Sequence, residues 1–251
     1  PLGQVEERLC AIGKVIPIGL CESVNAGGLA HGGGWGLSWR RHGMTIDTLV
    51  DVEIVTSEGR VIDSAAATDP DLLRAVRGGG GGNFGVVTKL HFDLSDRDPE
   101  AQPFSLAWDK DVRTKVTMKW IEMMATADDR FNSFCRFGLP GSVSEALRIS
   151  GVYYGSEQEC NDVLAELEAV APPIKRRCFT AANDADLYAL FTGQDKGLDL
   201  LTARGVDEPV QTFALHMSPL GDFGPPSSCT GAHRHKVTSA FPDDSSAGHL
   251  R

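Results

Sequence analysis

Cys21 stands inside the most glycine-rich stretch of the chain, Gly19 to Gly36, where seven of eighteen residues are glycine and the others include Val24, Leu29 and Trp35. Without a Cβ, such backbone can take positive φ or let another molecule lie directly on main-chain atoms. A polarizable thiol in that setting is a candidate for reactivity toward whatever the backbone receives. A second block, Gly78 to Gly82, leads into Asn83, Phe84 and Gly85. Two readings fit both blocks: a contact surface for a bound molecule, or tight turns that bring backbone against backbone.

The other reactive groupings are weaker. Gly80 to Gly85 matches G-x-G-x-x-G, but a dinucleotide fingerprint needs a strand before it and a helix after it, and here the order is helix then strand. No P-loop sequence is present. His233 and His235 lack companions that would complete a metal-ligand set, so they read as a solvated basic turn and no metal site is expected. Ser23 and His31 lack both G-x-S-x-G and a placed acid. The six cysteines, at 10, 21, 135, 160, 178 and 229, form no C-x-x-C pair, which argues against a zinc site and against a dense disulfide framework.

Bulk properties narrow the partners. The chain has 251 residues, 41% hydrophobic and 23% charged, ordinary values for a globular protein. A formal charge of -10 with no basic stripe argues against nucleic acid, where Lys and Arg must meet phosphates. No apolar run approaches the ~20 residues that span a bilayer, so no membrane partner is expected.

The elements that must position Cys21 and the glycines follow from periodicity. Leu2, Val5, Leu9 and Ile12 predict a short helix ending at Gly13, and Lys14 to Leu20 an extended entry to Cys21. Alternation over Leu49 to Thr56 puts Val50, Val52 and Ile54 on one side, and Ser57-Glu58-Gly59 turns the chain into Arg60 to Asp63 as a hairpin. Thr68-Asp69-Pro70 opens a helix that stops at Gly78. From Val86 a strand is expected, with Val86, Thr88, Leu90, Phe92 and Leu94 facing one way. Ser95 to Glu100 reads as a domain boundary. Beyond it come a strand at Phe104 to Trp108, a helix on Val112, Val116, Trp120 and Met123, and strands at Phe131 to Phe137 and Leu147 to Tyr154. A capping box, Ser156 to Glu159, then starts a helix with Cys160 on its core face that stops at Pro172-Pro173. Phe213 to Met217 reads as a further strand, and the end has no core pattern. The order predicts an α+β fold with an antiparallel sheet and helices behind it.

Taken in series, Gly13 to Cys21, Gly27-Gly28, Gly32 to Gly36, Gly43 to Asp47, Val52 to Thr56, Asp69 to Leu72, Arg77 to Gly79 and Asn83 to Thr88 resemble the second half of the FAD-binding, PCMH-type domain of berberine-bridge-enzyme-like flavin oxidases. Ser150 to Gly155 and Lys236 to Pro242 resemble the family's substrate domain more loosely. The resemblance implies a partial FAD-binding domain at 1–97 and a partial substrate-binding domain at 98–251. It implies FAD as cofactor, hydride taken from a small-molecule donor such as a carbohydrate, alcohol or alkaloid, and electrons passed to molecular oxygen. By matching position, Cys21 is the residue bonded to the flavin ring in doubly tethered members. Gly27, Gly28, Gly33, Gly34 and Gly36 would lie along the cofactor, Asp47 in the loop by its ribityl side, and Gly85 and Val86 against it through main chain. The family pattern has Pro after this Cys and Gly after the Val, where this sequence has Glu22 and Asn25. The family's phosphate-holding subdomain and its catalytic Tyr base have no match, so an internal piece of a longer protein is expected, with the catalytic base beyond the chain. The alternative is a non-catalytic remnant or binding module. Tyr153, Tyr154 and Arg148 either face the donor or pack and solvate the sheet.

Overall fold

The computed structural model describes residues 1–19, 21, 23–64, 71–138 and 146–181, with the backbone of 210–213. Three sheets organise it, all antiparallel in their pairings. This is the α+β architecture that the strand and helix order implied.

The first region begins with α1 (Leu2–Ala11), whose Leu2 is buried, and β1 (Lys14–Val15). The Gly-rich stretch follows and contains a short helix, α2 (Ala26–His31), then α3 (Trp39–His42) and a 3₁₀ turn at Thr45–Thr48. Strands β2 (Leu49–Val55) and β3 (Val61–Asp63) form the expected hairpin, and β4 (Val86–Phe92) pairs with the other side of β2. Between β3 and β4 runs α4 (Asp71–Gly79), which leaves helical geometry at Arg77 and at Gly78, where φ is +125°. Its expected cap, Thr68 to Pro70, lies outside the described residues, as do Leu20, Glu22, His233, His235 and Lys236 to Pro242.

Two register shifts in the β2–β4 ladder change which side chains face inward. One lies between Leu49 and Asp51, so the core receives Leu49, Val52 and Ile54 while Val50 is turned out, 48% exposed. The other skips Thr88: Glu53 pairs with Lys89 and Ile54 with Val87. The extra residue reverses the facing of what precedes it, so Val87 joins Leu90 and Phe92 against the core and Val86 is 69% exposed. Strict alternation from Val86 to Leu94 therefore fails at the bulge.

The expected boundary at residues 95–100 is not free chain. Strand β5 (Ser95–Asp96) returns to pair with β1, Lys14 Nζ meets Asp96 Oδ1 at 2.5 Å, and the Arg97 N–H donates to the Gly13 carbonyl at 3.1 Å. The second region is a five-stranded sheet in the order β10-β7-β8-β6-β9. It comprises β6 (Gln102–Trp108), β7 (Phe131–Gly138), β8 (Leu147–Tyr153), β9 (Lys175–Cys178) and β10 (Val210–Phe213). One face is covered by α5 (Arg113–Thr126) and α6 (Glu157–Glu168), with Phe104, Leu106, Trp108, Trp120, Phe131, Ile149 and Leu164 fully enclosed. Helix α6 starts on its capping box, with the Ser156 hydroxyl accepting from the Glu159 N–H and the Glu159 carboxylate accepting from the Ser156 N–H. Of the expected strand at Phe213 to Met217, Phe213 closes β10 and the rest lies outside the described residues.

The sheet's centre leaves no room at Gly151, where a Cβ would fall 1.9 Å from the Asn132 carbonyl oxygen of the neighbouring strand. Gly151→Ala is expected to lower stability by about 1–3 kcal/mol, the range for overpacking a tight interior, as read by chemical denaturation. A pH dependence follows from the ion cluster on Arg130. Hydrogen bonds from Arg130 hold Asp128 at about 2, and the Ser156 N–H and hydroxyl, then Arg130, hold Glu159 at about 2, against ordinary values of 3.8 and 4.5. Both folded-state values are depressed, so the stabilisation is complete above the ordinary values and is lost as pH falls from there through about 2. The unfolding midpoint is expected to drop across that window, and Arg130→Met to flatten the drop in a thermal melt series.

Candidate functional site

The Gly-rich stretch is anchored at its start. The Val24 carbonyl accepts from the Leu2 N–H at 2.8 Å, and the Val24 N–H donates to the Cys21 carbonyl at 3.1 Å, forming a turn that holds the half-buried Cys21 beside α1. Helix α2 then begins after Asn25, which is extended, and ends at Gly32 and Gly33. Gly33 (φ +94°) and Gly34 (φ +70°) reverse the chain so that their carbonyls accept from the Ile46 and Thr45 N–H groups, both at 2.9 Å. The loop is thereby latticed to the 3₁₀ turn.

The glycines divide into two kinds. Gly27 and Gly28 have nothing within 4 Å of a Cβ position, so their missing side chains leave open space on α2. Gly34 and Gly36 are buried: a Cβ would lie 2.4 Å from Thr45 Oγ1 at Gly34 and 1.8 Å from the Ile18 carbonyl oxygen at Gly36. There the absence of a side chain is used by the protein's own packing. Gly33 is half-buried, with a Cβ position 2.8 Å from Met44 Cε. Exposed Asp47 accepts from the Met44 N–H at 2.7 Å, a local cap at the turn.

The second Gly block comes alongside the first. A Cβ at Gly81 would be 3.4 Å from the Cβ of His31, the last residue of α2, while Gly82 faces open space. Gly85, at φ +141°, lets β4 start against β2, its Cβ position being 2.4 Å from the Val55 carbonyl oxygen, and the exposed Val86 pairs with Val55. His31 occupies the contact between the blocks. Its Nδ1 lies 2.6 Å from the Gly27 carbonyl oxygen, which can only accept, so Nδ1 donates there. The ring's Nε2 is buried and has no protein partner. The open α2 backbone at Gly27 and Gly28 gives a ligand room to lie close to main chain.

The far end of the Gly-rich loop docks on the sheet face opposite α5 and α6. Trp35 meets Phe134 at 5.1 Å between ring centroids, Leu37 packs with Val152 and Tyr154, and the Asn132 side-chain amide donates to the Leu37 carbonyl. Arg40 is buried and donates to the Phe131 carbonyl at 2.9 Å and the Ala127 carbonyl at 3.0 Å; burial pulls its pKa down, with Asp129 and Asp128 opposing. Sequence reasoning did not single out Arg40 or Asn132, because an Arg in Trp39-Arg40-Arg41-His42 has the composition of a surface turn. Tyr153 lies on the helix side, buried under the Arg130 guanidinium at 5.2 Å, and Tyr154 packs in the docking cluster. Arg148 is on the opposite face, cross-strand from Arg136 and Ala107. Of the three residues that were open to a donor-facing role, the tyrosines pack.

Among the described residues no helix is long and apolar enough to cross a membrane, and no group of His, Cys, Asp and Glu could hold a metal ion. No family model matches the chain. It is 30% identical over 210 residues to an uncharacterized FAD-linked oxidoreductase of Bacillus subtilis strain 168, YvdP, covering 84% of this chain and 43% of the relative. Against berberine bridge enzyme-like 24 of Arabidopsis thaliana it is 36% identical over 123 residues, 47% of this chain and 23% of that one. The glucooligosaccharide oxidase of Acremonium strictum, a 6-S-cysteinyl, 8α-N1-histidyl FAD protein, shares the fold with a TM-score of 0.66 at 20% identity, covering 82% of this chain and 43% of the oxidase. The chain thus spans less than half the length of the curated relatives it matches. Over that length, in sequence and in fold, its relatives are FAD-linked oxidoreductases and berberine bridge enzyme-like proteins.

Proposed function

We propose that this chain supplies the flavin-contacting backbone and the sheet-side wall of an FAD-linked oxidoreductase that takes hydride from a small carbohydrate, alcohol or alkaloid-like donor and passes the electrons to molecular oxygen. The observation that carries the reading is the open strip at Gly27 and Gly28, with the second Gly block against it at His31 and Gly81. When bound, FAD would accept the hydride and hand the electron pair on.

The residues have separable parts. Gly27, Gly28 and Gly33 would admit the cofactor close to main chain, and Gly85 with Val86 would border it through backbone. Gly34 and Gly36 would act from behind, by letting the loop pack on Thr45 and Ile18. Asp47 would hold the turn that borders the ribityl side. Cys21 would form the thioether to the ring, as the cysteinyl bond does in the Acremonium oxidase. Residues 1–97 would make the cofactor-binding unit and 98–251 the donor-binding unit.

Two measurements test this. The 251-residue chain, reconstituted with excess FAD, is expected to turn yellow and keep flavin through acid precipitation, and Cys21→Ala to release it in acid; a colourless chain, or acid-stable flavin in the variant, would overturn the assignment. Gly28→Val places its side chain in open space, so the unfolding midpoint should move by no more than the ~1 kcal/mol of helix propensity allows. FAD affinity should nevertheless fall at least about tenfold, about 1.4 kcal/mol, by flavin fluorescence titration.

A further inference from the structure

We infer that Cys160 and Cys178 are a redox pair that closes to a disulfide between α6 and β9 when the chain meets hydrogen peroxide. The inference does not depend on the flavin reading. Cys160 lies in the first turn of α6 and is buried, while Cys178 ends β9 and is half-buried. Cys178 is the cross-strand partner of Phe104, and it packs against the helix-side core to which Phe104 and Cys160 both belong.

The two thiols hydrogen-bond each other. The elements carrying them are already fastened on the same side, because Arg176 donates from Nε to Glu168 at 2.7 Å and from Nη2 to Asn161 at 2.6 Å, both on α6. The helix and the strand that carry the two thiols are thus held side by side, as a disulfide between them requires.

Their environments assign the roles. The hydrogen bond from Cys160 and the Arg176 guanidinium pull the Cys178 thiol below its ordinary range against the effect of burial, and the same contact with burial pushes Cys160 up. Cys178, half-buried beside Arg176 where Cys160 is buried, is therefore the nucleophile that peroxide reaches and Cys160 the resolving thiol. The Cys178 thiolate attacks a peroxide oxygen, the O–O bond breaks, and the departing hydroxide takes a proton to become water. Cys160 sulfur then attacks the Cys178 sulfenic acid, the S–S bond forms, the S–O bond breaks, and hydroxide leaves with the Cys160 proton as a second water. Two thiols lose two electrons and two protons, and one peroxide becomes two waters. Cys135, whose thiol burial pushes up to about 12, is placed to stay reduced.

The test uses the intact chain, fully reduced, freed of reductant, exposed to a few equivalents of hydrogen peroxide, alkylated and digested with trypsin without reductant. Peptides 149–175 and 178–196 should appear joined and two hydrogens lighter than their sum, and dithiothreitol should separate them. The thermal midpoint should rise on oxidation and return on reduction. In Cys178→Ser, Cys160 should remain alkylatable after peroxide, and in Cys160→Ser, which keeps a hydroxyl donor beside Cys178, Cys178 should accumulate as a dimedone-trapped sulfenic acid. Wild-type Cys178 passing to sulfinic acid without the linked peptide, or linking to a different cysteine, would overturn the inference. So would a pair that stays reduced while Cys21 is oxidised.

Discussion

The Gly-rich loop can present open backbone on one side only because its other end is clamped to the five-stranded sheet, and the clamp is the buried Arg40 guanidinium. A cation removed from water is costly unless donors and charge are answered, and here two carbonyl oxygens take the terminal N–H groups while Asp129 and Asp128 oppose the effect of burial. One of them, on Ala127, lies at the C-terminal end of α5, where unused carbonyls and the helix dipole favour positive charge. The other, on Phe131, begins β7. One side chain thus ties the loop to a helix end and a strand start together. Asn132 does the same for Leu37, and the Trp35–Phe134 contact fills the space between.

This clamp explains why glycines of similar appearance have different duties. Between Gly34 and Leu37 the loop must run against Thr45 and Ile18 so closely that side chains would collide. At Gly27 and Gly28 no such neighbour exists, and the same absence leaves a bare surface. The two readings of the Gly-rich stretch, contact surface and close backbone packing, are both present in succession along one segment. The consequence is a rigid strip, because the free part is held between the turn at Cys21–Val24 and the lattice at Thr45–Ile46.

Much of this was legible in the residues. Helix α6 was announced by its capping box, α4 by the cap chemistry of Thr68-Asp69-Pro70 and the stop at Gly78, and β6, β7 and β8 by apolar strand patterns that match the sheet's two covered faces. The failures have local causes. The bulge at Thr88 is invisible to a period-two count because an inserted residue looks like any other, yet it turns Val86 outward. Helix α2 was hidden by Gly27 and Gly28, whose low helix propensity is overridden by the docking of Ala30 and by the pinned turns on both sides. Strand β9 escaped because Lys175-Arg176-Arg177-Cys178 has no apolar alternation; its hydrogen bonds to β6 define it. The β1–β5 pairing was missed since two residues on each side carry no pattern, and a charged run reads as linker.

The composition of β9 has one more effect. It closes one end of the strand order among the described residues, and a sheet's end strand offers unpaired backbone groups to any other extended chain. With Lys175, Arg176 and Arg177 in succession, two copies approaching edge to edge would bring like charges together before their ladders could join. Lys175 already registers this repulsion within one molecule, its pKa lowered first by Arg177 and then by burial and Arg148. The terminal strand therefore discourages self-templated growth of the sheet into fibrils.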